Sequence, residues 1–339
     1  MSSIKDVAKI AGVSTATVSR TLSNPRIVKE ETREKVMAAI SDTGYITNTL
    51  ARNFRTRKTN TVVVLVPDIS NPFFSNIIHG IEKVAKANDY RVVLGDTQGD
   101  REQEKAYANL VQQRQADGII LLGASIPFDC SPLRKSPDPG WPPMVIGCEF
   151  FDDFKLPTVR IDNIKAAQDA TDHLLELGHR RIAYLNGPKD SPLCKDRFQG
   201  YKLSLRKAKL RYDITLLGQG DYSLHSGVKT MKRFLALDVP PTAVFAANDE
   251  MAIGAIKAAK EAGLEVPDDL SVAGFDDIRF AEFTDPALTT IHQPRISIGQ
   301  QVMEVMCKLL RGEKLQDYVT VLPHELVVRE STCLPRRDG

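Results

Sequence analysis

Cysteine is scarce in this 339-residue chain: Cys130, Cys148, Cys194, Cys307 and Cys333 make an odd count with no C-x-x-C spacing. That argues against a disulfide framework or a zinc-ligand set and for reduced packing residues. No run approaches the ~20 consecutive apolar residues that a bilayer span needs. The opening MSSIKDVAKIAGVS has no basic segment followed by an apolar one, so no secretory signal is expected and the expectation is a cytoplasmic protein without membrane association. G-x-S-x-G, H-E-x-x-H, the P-loop and G-x-G-x-x-G are all missing, and the six histidines form no pair four residues apart. The sequence therefore predicts no enzyme, no cofactor and no metal site. Gly178-His179-Arg180-Arg181, ahead of a strand, is expected to be a helix stop with a capping histidine.

What is present is ordinary globular composition, 42% apolar and 26% charged, in a length that suggests two domains or slightly more at roughly 150 residues each. The net charge of +2 hides an asymmetry. Residues 1–60 hold eleven Lys or Arg against five acids, and the remainder holds 34 against 38. A small basic head on a mildly acidic body fits a polyanion-binding module, although charge alone fits a solvated basic face as well.

The head resolves into three short helices. Ile4, Val7, Ala8 and Ala11 fall at helical spacing behind Ser3, and Gly12 ends that segment. Ser14 caps a second helix from Thr15 to Leu22 with Val18 and Leu22 inward, and a third runs from Glu30 to Thr43 with Gly44 as its stop. Two helices joined by a glycine turn and backed by a third make a helix-turn-helix, whose second helix meets base edges in the major groove. In that helix Thr15 and Ala16 are short enough to touch a thymine methyl, and Arg20 can reach guanine O6 and N7. Ser14, Thr17, Ser19 and Asn24 are read as phosphate or groove contacts.

The stretch IKDVAKIAGVSTATVSRTLSNPRIVKEETREKVMAAI closely resembles the DNA-binding head of the LacI/GalR family of bacterial transcription regulators, and the resemblance extends over essentially the whole chain. It implies that residues 47–60 are a hinge helix and linker, in which Asn48, Ala51 and Arg52 meet DNA. In the family the hinge pairs with its dimer mate in the minor groove and wedges an apolar side chain, usually Leu, between base pairs. Phe54 stands there in this sequence, and Thr47 stands where the family usually has Pro. A phenylalanine wedge is chemically apt, because such side chains unstack and kink a duplex.

Beyond the linker, apolar runs alternate with amphipathic segments: VVVLV (62–66), RVVLG (91–95), GIILLG (118–123), RIAYL (181–185), TAVFAA (242–247) and SVAGF (271–275). This predicts βαβ units and two doubly wound parallel sheets with a ligand cleft at their strand ends. The fold class expected is an all-α helix-turn-helix head (1–46) and hinge joined to an α/β, two-lobed, periplasmic-binding-protein-like core (61–339). The resemblance implies three crossings between lobes, with one lobe about 61–161 and 293–322 and the other about 162–292 and 323–339.

At the strand ends, Asn71 and Pro72 open a helix that carries Phe73 and Phe74 to the crevice, where a ring can stack on a flat heterocycle or simply belong to the core. Gly187 to Cys194 is read as a loop, followed by Arg197; Asn248-Asp249 and Asp276-Asp277 end the next two strands. Arg197, Asn248 and Asp276 match sugar-contacting positions of the family, and a guanidinium with a carboxylate suits vicinal hydroxyls. Ser191 and Leu193 stand where purine-responsive relatives carry Arg and Thr, which argues against a free purine. PDISNPFFSNIIHGIE, LLGASIPFD and GPKDSPLCKDRFQGY look most like the cytidine-responsive branch. The resemblance thus implies a homodimeric repressor on pseudo-palindromic double-stranded operator DNA, with a nucleoside effector whose base lies near Phe73, Leu193 and Tyr222. The alternatives are a sugar or purine effector on the same architecture, or a solute-binding protein; the basic head speaks against the last.

Overall fold

A computed structural model describes residues 3–45, 58–123, 125–128, 141–151, 154–189 and 191–336. The expected hinge contacts Asn48, Ala51, Arg52 and Phe54 lie outside the described residues. Contacts divide the chain into two units, 1–58 and 59–339.

In the first unit, α1 (Ile4–Ala11) ends at Gly12, whose φ of 64° turns the chain toward α2 (Thr15–Ser23). Ser14 caps α2 by accepting the Thr17 amide at 3.1 Å, and α3 (Glu30–Thr43) ends at Gly44 with φ 59°. The three helices close on Val7, Ala8, Ala11, Val18, Val36 and Ala39. Helices this short gain stability chiefly by burying such a face together.

The second unit opens with β1 (Thr61–Val66), whose six side chains are all buried, as a central strand covered on both sides requires. The Asp117 carboxylate fixes the approach to β1, accepting Thr59 N at 2.8 Å and Asn60 N at 2.7 Å. β1 lies parallel between β2 (Arg91–Asp96) and β3 (Gly118–Leu121), and β4 (Met144–Gly147) and β5 (Thr158–Ile161) extend the sheet. A second parallel sheet has β6 (Ile182–Asn186) between β7 (Leu217–Gln219) and β8 (Ala243–Ala246), with β9 (Ser271–Ala273) beyond. Helices α4 (Pro72–Ala87) and α5 (Arg101–Gln112) belong to the first sheet. Helices α6 (Asn163–Glu176), α7 (Pro192–Lys207), α8 (Leu224–Leu235) and α9 (Asp249–Glu261) belong to the second.

After β10 (Thr290–His292) the chain returns to the first sheet through α10 (Arg295–Leu310) and edge strand β11 (Val319–Leu322). It then goes back again as β12 (Glu325–Val327), antiparallel to β10. The chain thus leaves the first sheet after Ile161, re-enters it after His292 and leaves it again after Leu322, with the β10–β12 pair forming a two-stranded sheet of its own.

Helices α4 and α10 meet backbone to backbone. A Cβ on Gly80 would stand 2.3 Å from the Ile296 carbonyl oxygen, and one on Gly299 2.0 Å from that of Ile77. Only glycine allows that approach from both sides.

Two local expectations fail. Gly187 to Cys194 is not all loop: Ser191 caps α7, Pro192 is its first residue, and Leu193, Cys194 and Arg197 sit on its first turns. A proline with its φ fixed for helix, behind a serine cap, outweighed the glycine and proline density that suggested a loop. The His179 ring does not cap its helix either; it bonds the hydroxyls of Thr242 at 2.9 Å and Ser271 at 3.0 Å and meets the Cys333 carbonyl. The helix stop itself is made by backbone, with His179 N donating to Leu174 O.

No described helix is long and apolar enough to cross a membrane, and the described residues contain no His/Cys/Asp/Glu group able to hold a metal ion.

Candidate functional site

Parallel sheets leave a crevice where adjacent strands send their connections in opposite directions. In the second unit both sheets direct such strand ends at one cavity of about 640 Å³. Asn71 accepts the Phe73 amide at 2.9 Å and starts α4 there, so Phe73 and Phe74 form one wall, edge to face with ring centres 5.2 Å apart. From the second sheet come Ser191, Leu193 and Arg197 of α7, Tyr222 before α8, Asn248 before α9, and Asp276 beyond β9. All eight effector-contact candidates line this cavity.

Arg197 is held rigidly. Its Nε donates to Asn163 Oδ1 at 3.0 Å, Nη1 donates to the Ala247 carbonyl, and the guanidinium lies 3.7 Å from the centre of the Phe275 ring. Nη2 faces Asp276 Oδ1 at 3.8 Å. Asp276 also accepts Gln293 Nε2 at 2.7 Å, yet burial lifts its carboxyl to about 6 against the pull of Arg197. Asn248 spends both ends on backbone, accepting Met251 N at 3.0 Å and donating to Tyr222 O at 2.9 Å. Tyr222 bonds the Cys194 sulfur at 2.8 Å.

The neighbouring acids turn elsewhere. Asp249 is wholly buried and accepts Thr290 Oγ1 and Ile278 N, whereas Asp277 is engaged by His292 at 2.8 Å and Arg329 at 2.7 Å.

Sequence reasoning missed Glu149. It lies two residues beyond β4, lines the cavity and is 7% exposed. Its Oε1 accepts Ser191 Oγ at 3.3 Å, Oε2 has no partner among the described residues, and burial pushes the carboxyl up to about 7. Asp68, Glu104, Asp221 and Glu250 also line the cavity and were not singled out. Among the described residues, three lining residues other than glycine have left-handed backbone: Cys148 (φ 70°), Tyr222 (φ 71°) and Asp276 (φ 111°). Each such conformation costs about 1–3 kcal/mol, and strain of this kind gathers at ligand sites.

In the first unit, Ser14, Thr15, Ala16, Arg20 and Asn24 are exposed and Thr17 and Ser19 half-buried. The Thr17 hydroxyl is bonded to that of Ser14 at 3.0 Å, so it serves the cap.

A family model for "Bacterial regulatory proteins, lacI family" matches residues 3–48, and one for "Periplasmic binding protein-like domain" matches residues 171–332. The HTH-type transcriptional repressor CytR of Escherichia coli (strain K12) is 44% identical over 329 residues, which span 97% of this chain and 96% of that repressor. Catabolite control protein A of Priestia megaterium is 36% identical over 97% of this chain and 98% of its own. Among solved structures, the Lac repressor dimer bound to operator and the anti-inducer ONPF is similar with a TM-score of 0.85, at 27% identity over 98% of this chain and 99% of that one. The complex of transcriptional regulator CelR with cellobiose gives 0.71, at 32% identity over 98% of this chain and all of that one.

Proposed function

Since the chain belongs to the LacI family of bacterial regulatory proteins, we propose that it is a homodimeric repressor released from operator DNA when an uncharged nucleoside, cytidine first, fills the cleft. The observation that carries the ligand class is the joint composition of one cavity. An aromatic wall, Phe73 with Phe74, stands in the same space as Arg197, Asn248 and Asp276. The two rings, 7% and 9% exposed, give a base an apolar wall, and a ribose has a guanidinium and a carboxylate for its vicinal hydroxyls.

Charge narrows the class further. Apart from Glu149, whose carboxyl burial pushes up to about 7, the described lining holds five carboxyl groups (Asp68, Glu104, Asp221, Glu250 and Asp276) against the single guanidinium of Arg197. A phosphate brought there meets like charge in a partly desolvated space, which favours nucleosides over nucleotides.

On DNA, the twofold symmetry of a dimer calls for a pseudo-palindrome, with Arg20, Thr15 and Ala16 of each head at base edges and Ser14, Thr17, Ser19 and Asn24 along the groove walls. The hinge contacts Asn48, Ala51, Arg52 and Phe54 complete the set. Ligand shifts the balance between DNA-competent and released states by no more than its differential affinity for the two.

Calorimetric titration with cytidine, cytidine monophosphate, free bases and pentoses, paired with electrophoretic mobility shift on operator DNA, tests the reading. Cytidine is expected to bind at least about tenfold tighter than its monophosphate and to release the DNA. Binding by a pentose or disaccharide alone would instead favour the sugar alternative.

A further inference from the structure

Resting on the nucleoside reading of the cleft, we propose that Glu149 reads the base. Its protonated carboxyl group donates to the ring nitrogen of a 4-aminopyrimidine with one oxygen and accepts the exocyclic amine with the other. It thereby selects that edge over the 4-oxo edge.

Four observations converge on this residue. Glu149 lines the cavity yet is 7% exposed. Its Oε2 has no hydrogen-bond partner among the described residues, whereas Oε1 accepts only the Ser191 hydroxyl at 3.3 Å. A buried oxygen left without a partner costs about 1–3 kcal/mol, so its retention asks for a partner that arrives later. The cation that could have neutralised it is committed elsewhere, since Arg197 donates to Asn163 and Ala247 and faces Asp276. The backbone is bent to place it: Glu149 N donates to Gly147 O at 2.8 Å around Cys148 at φ 70°, a tight three-residue turn rarely formed by residues other than glycine.

The chemistry follows from what a buried carboxyl offers. Protonated, it presents one donor and one acceptor side by side and can pair with either edge, so the discrimination comes from how well the edge takes up the acid's proton. Burial pushes Glu149 up to about 7, with Arg197 pulling down and Asp196 pushing up, so the protonated form is available near neutrality. Among the described residues, Cys148, Cys194, Tyr222 and Asp276 also face this cluster; burial holds both thiols and the phenol in their neutral forms. The ring nitrogen of a 4-aminopyrimidine is basic in the same range as a carboxylate, so the proton is shared between them. A 4-oxo group lacks that basicity, and the proton must come wholly from the acid. Ser191 brings a neutral hydroxyl, not a cation, to this carboxyl.

The test is calorimetry on the full chain with cytidine and uridine at about pH 6 and about pH 8, using Glu149→Gln and Glu149→Leu. In the unaltered protein cytidine is expected to bind about tenfold or more tighter than uridine at the lower pH, and about tenfold weaker at the higher pH as the carboxyl ionises. The amide of Glu149→Gln keeps a donor and an acceptor and can turn either way. Cytidine affinity should stay within about threefold at the lower pH, the weakening at higher pH should vanish, and the preference over uridine should shrink to about threefold or less. Glu149→Leu should lose cytidine affinity by about tenfold or more together with the preference. Asp276, raised to about 6, titrates in every variant and favours binding at higher pH, so the comparison with Glu149→Gln isolates Glu149. A Glu149→Leu protein that keeps both the preference and the pH slope overturns the proposal while leaving the nucleoside reading in place. An unaltered protein that binds no nucleoside overturns that reading and this one with it.

Discussion

Arg197 Nη2 and Asp276 Oδ1 stand 3.8 Å apart, with side chains 4% and 9% exposed. Their separation is too long for a direct hydrogen bond, although the charges interact. Arg197 leans on Asn163, Ala247 and Phe275 for position, and Asp276 leans on Gln293. The two groups are held near each other by third parties, which leaves bonding capacity for a diol between them.

Asp276→Asn keeps the shape and the Gln293 contact but removes the charge opposite Arg197. Nucleoside affinity is expected to fall by about tenfold to a hundredfold, because charge-assisted bonds are roughly twice as strong as neutral ones. Operator binding without effector should be unchanged. Titration calorimetry and mobility shift read the two effects separately, and an unchanged affinity would remove Asp276 from the site.

Arg20 lies exposed on α2, the second helix of the head. Replacing it by Ala should cost ~1–3 kcal/mol at the operator and relax preference at one base pair. Binding measured over a set of single-base operator variants distinguishes this from a phosphate contact, which would weaken all of them equally.

Phe54 is expected to wedge into the minor groove. Phe54→Ala should then reduce operator bending, read by circular-permutation electrophoresis or fluorescence resonance energy transfer. A bend equal to that of the unaltered protein would reject the wedge.

Glu149 also predicts a pH dependence of stability. Its folded-state carboxyl sits at about 7 against an ordinary value of 4.5, so the folded chain holds a proton that the unfolded chain has lost. Stability from this group is therefore highest below about pH 4.5, declines as pH rises to about 7, and is level above that. Glu149→Gln removes the decline. The melting temperatures of the two proteins should be close near pH 4.5, with the variant the more stable by pH 8; parallel curves would contradict the assignment.

The head was legible in the sequence because its signals are local. Ser14 as cap, Gly12 and Gly44 as stops, and Val18 inward need only helical spacing. Strand ends likewise pointed to Phe73, Arg197, Asn248 and Asp276, since β1, β6, β8 and β9 follow apolar runs plain enough to read. Glu149 escaped because β4 is four residues, Met144–Gly147, behind two prolines, and the run was too short to stand out. Had it been seen as a strand, the same end-of-strand logic would have led to Cys148-Glu149. The remaining acids reach the cavity from loops and helices, and only the tertiary fold brings them there. Periodicity carries no such information.

The glycine seam between α4 and α10 has a mechanical consequence. The first turn of α4 carries the phenylalanine wall, and the first turn of α10 follows the crossing after His292. With Gly80 and Gly299 letting carbonyl oxygens sit where a methyl would otherwise go, neither helix can slip without moving its neighbour. The phenylalanine wall and the connector after His292 are therefore carried by two helices in direct backbone contact.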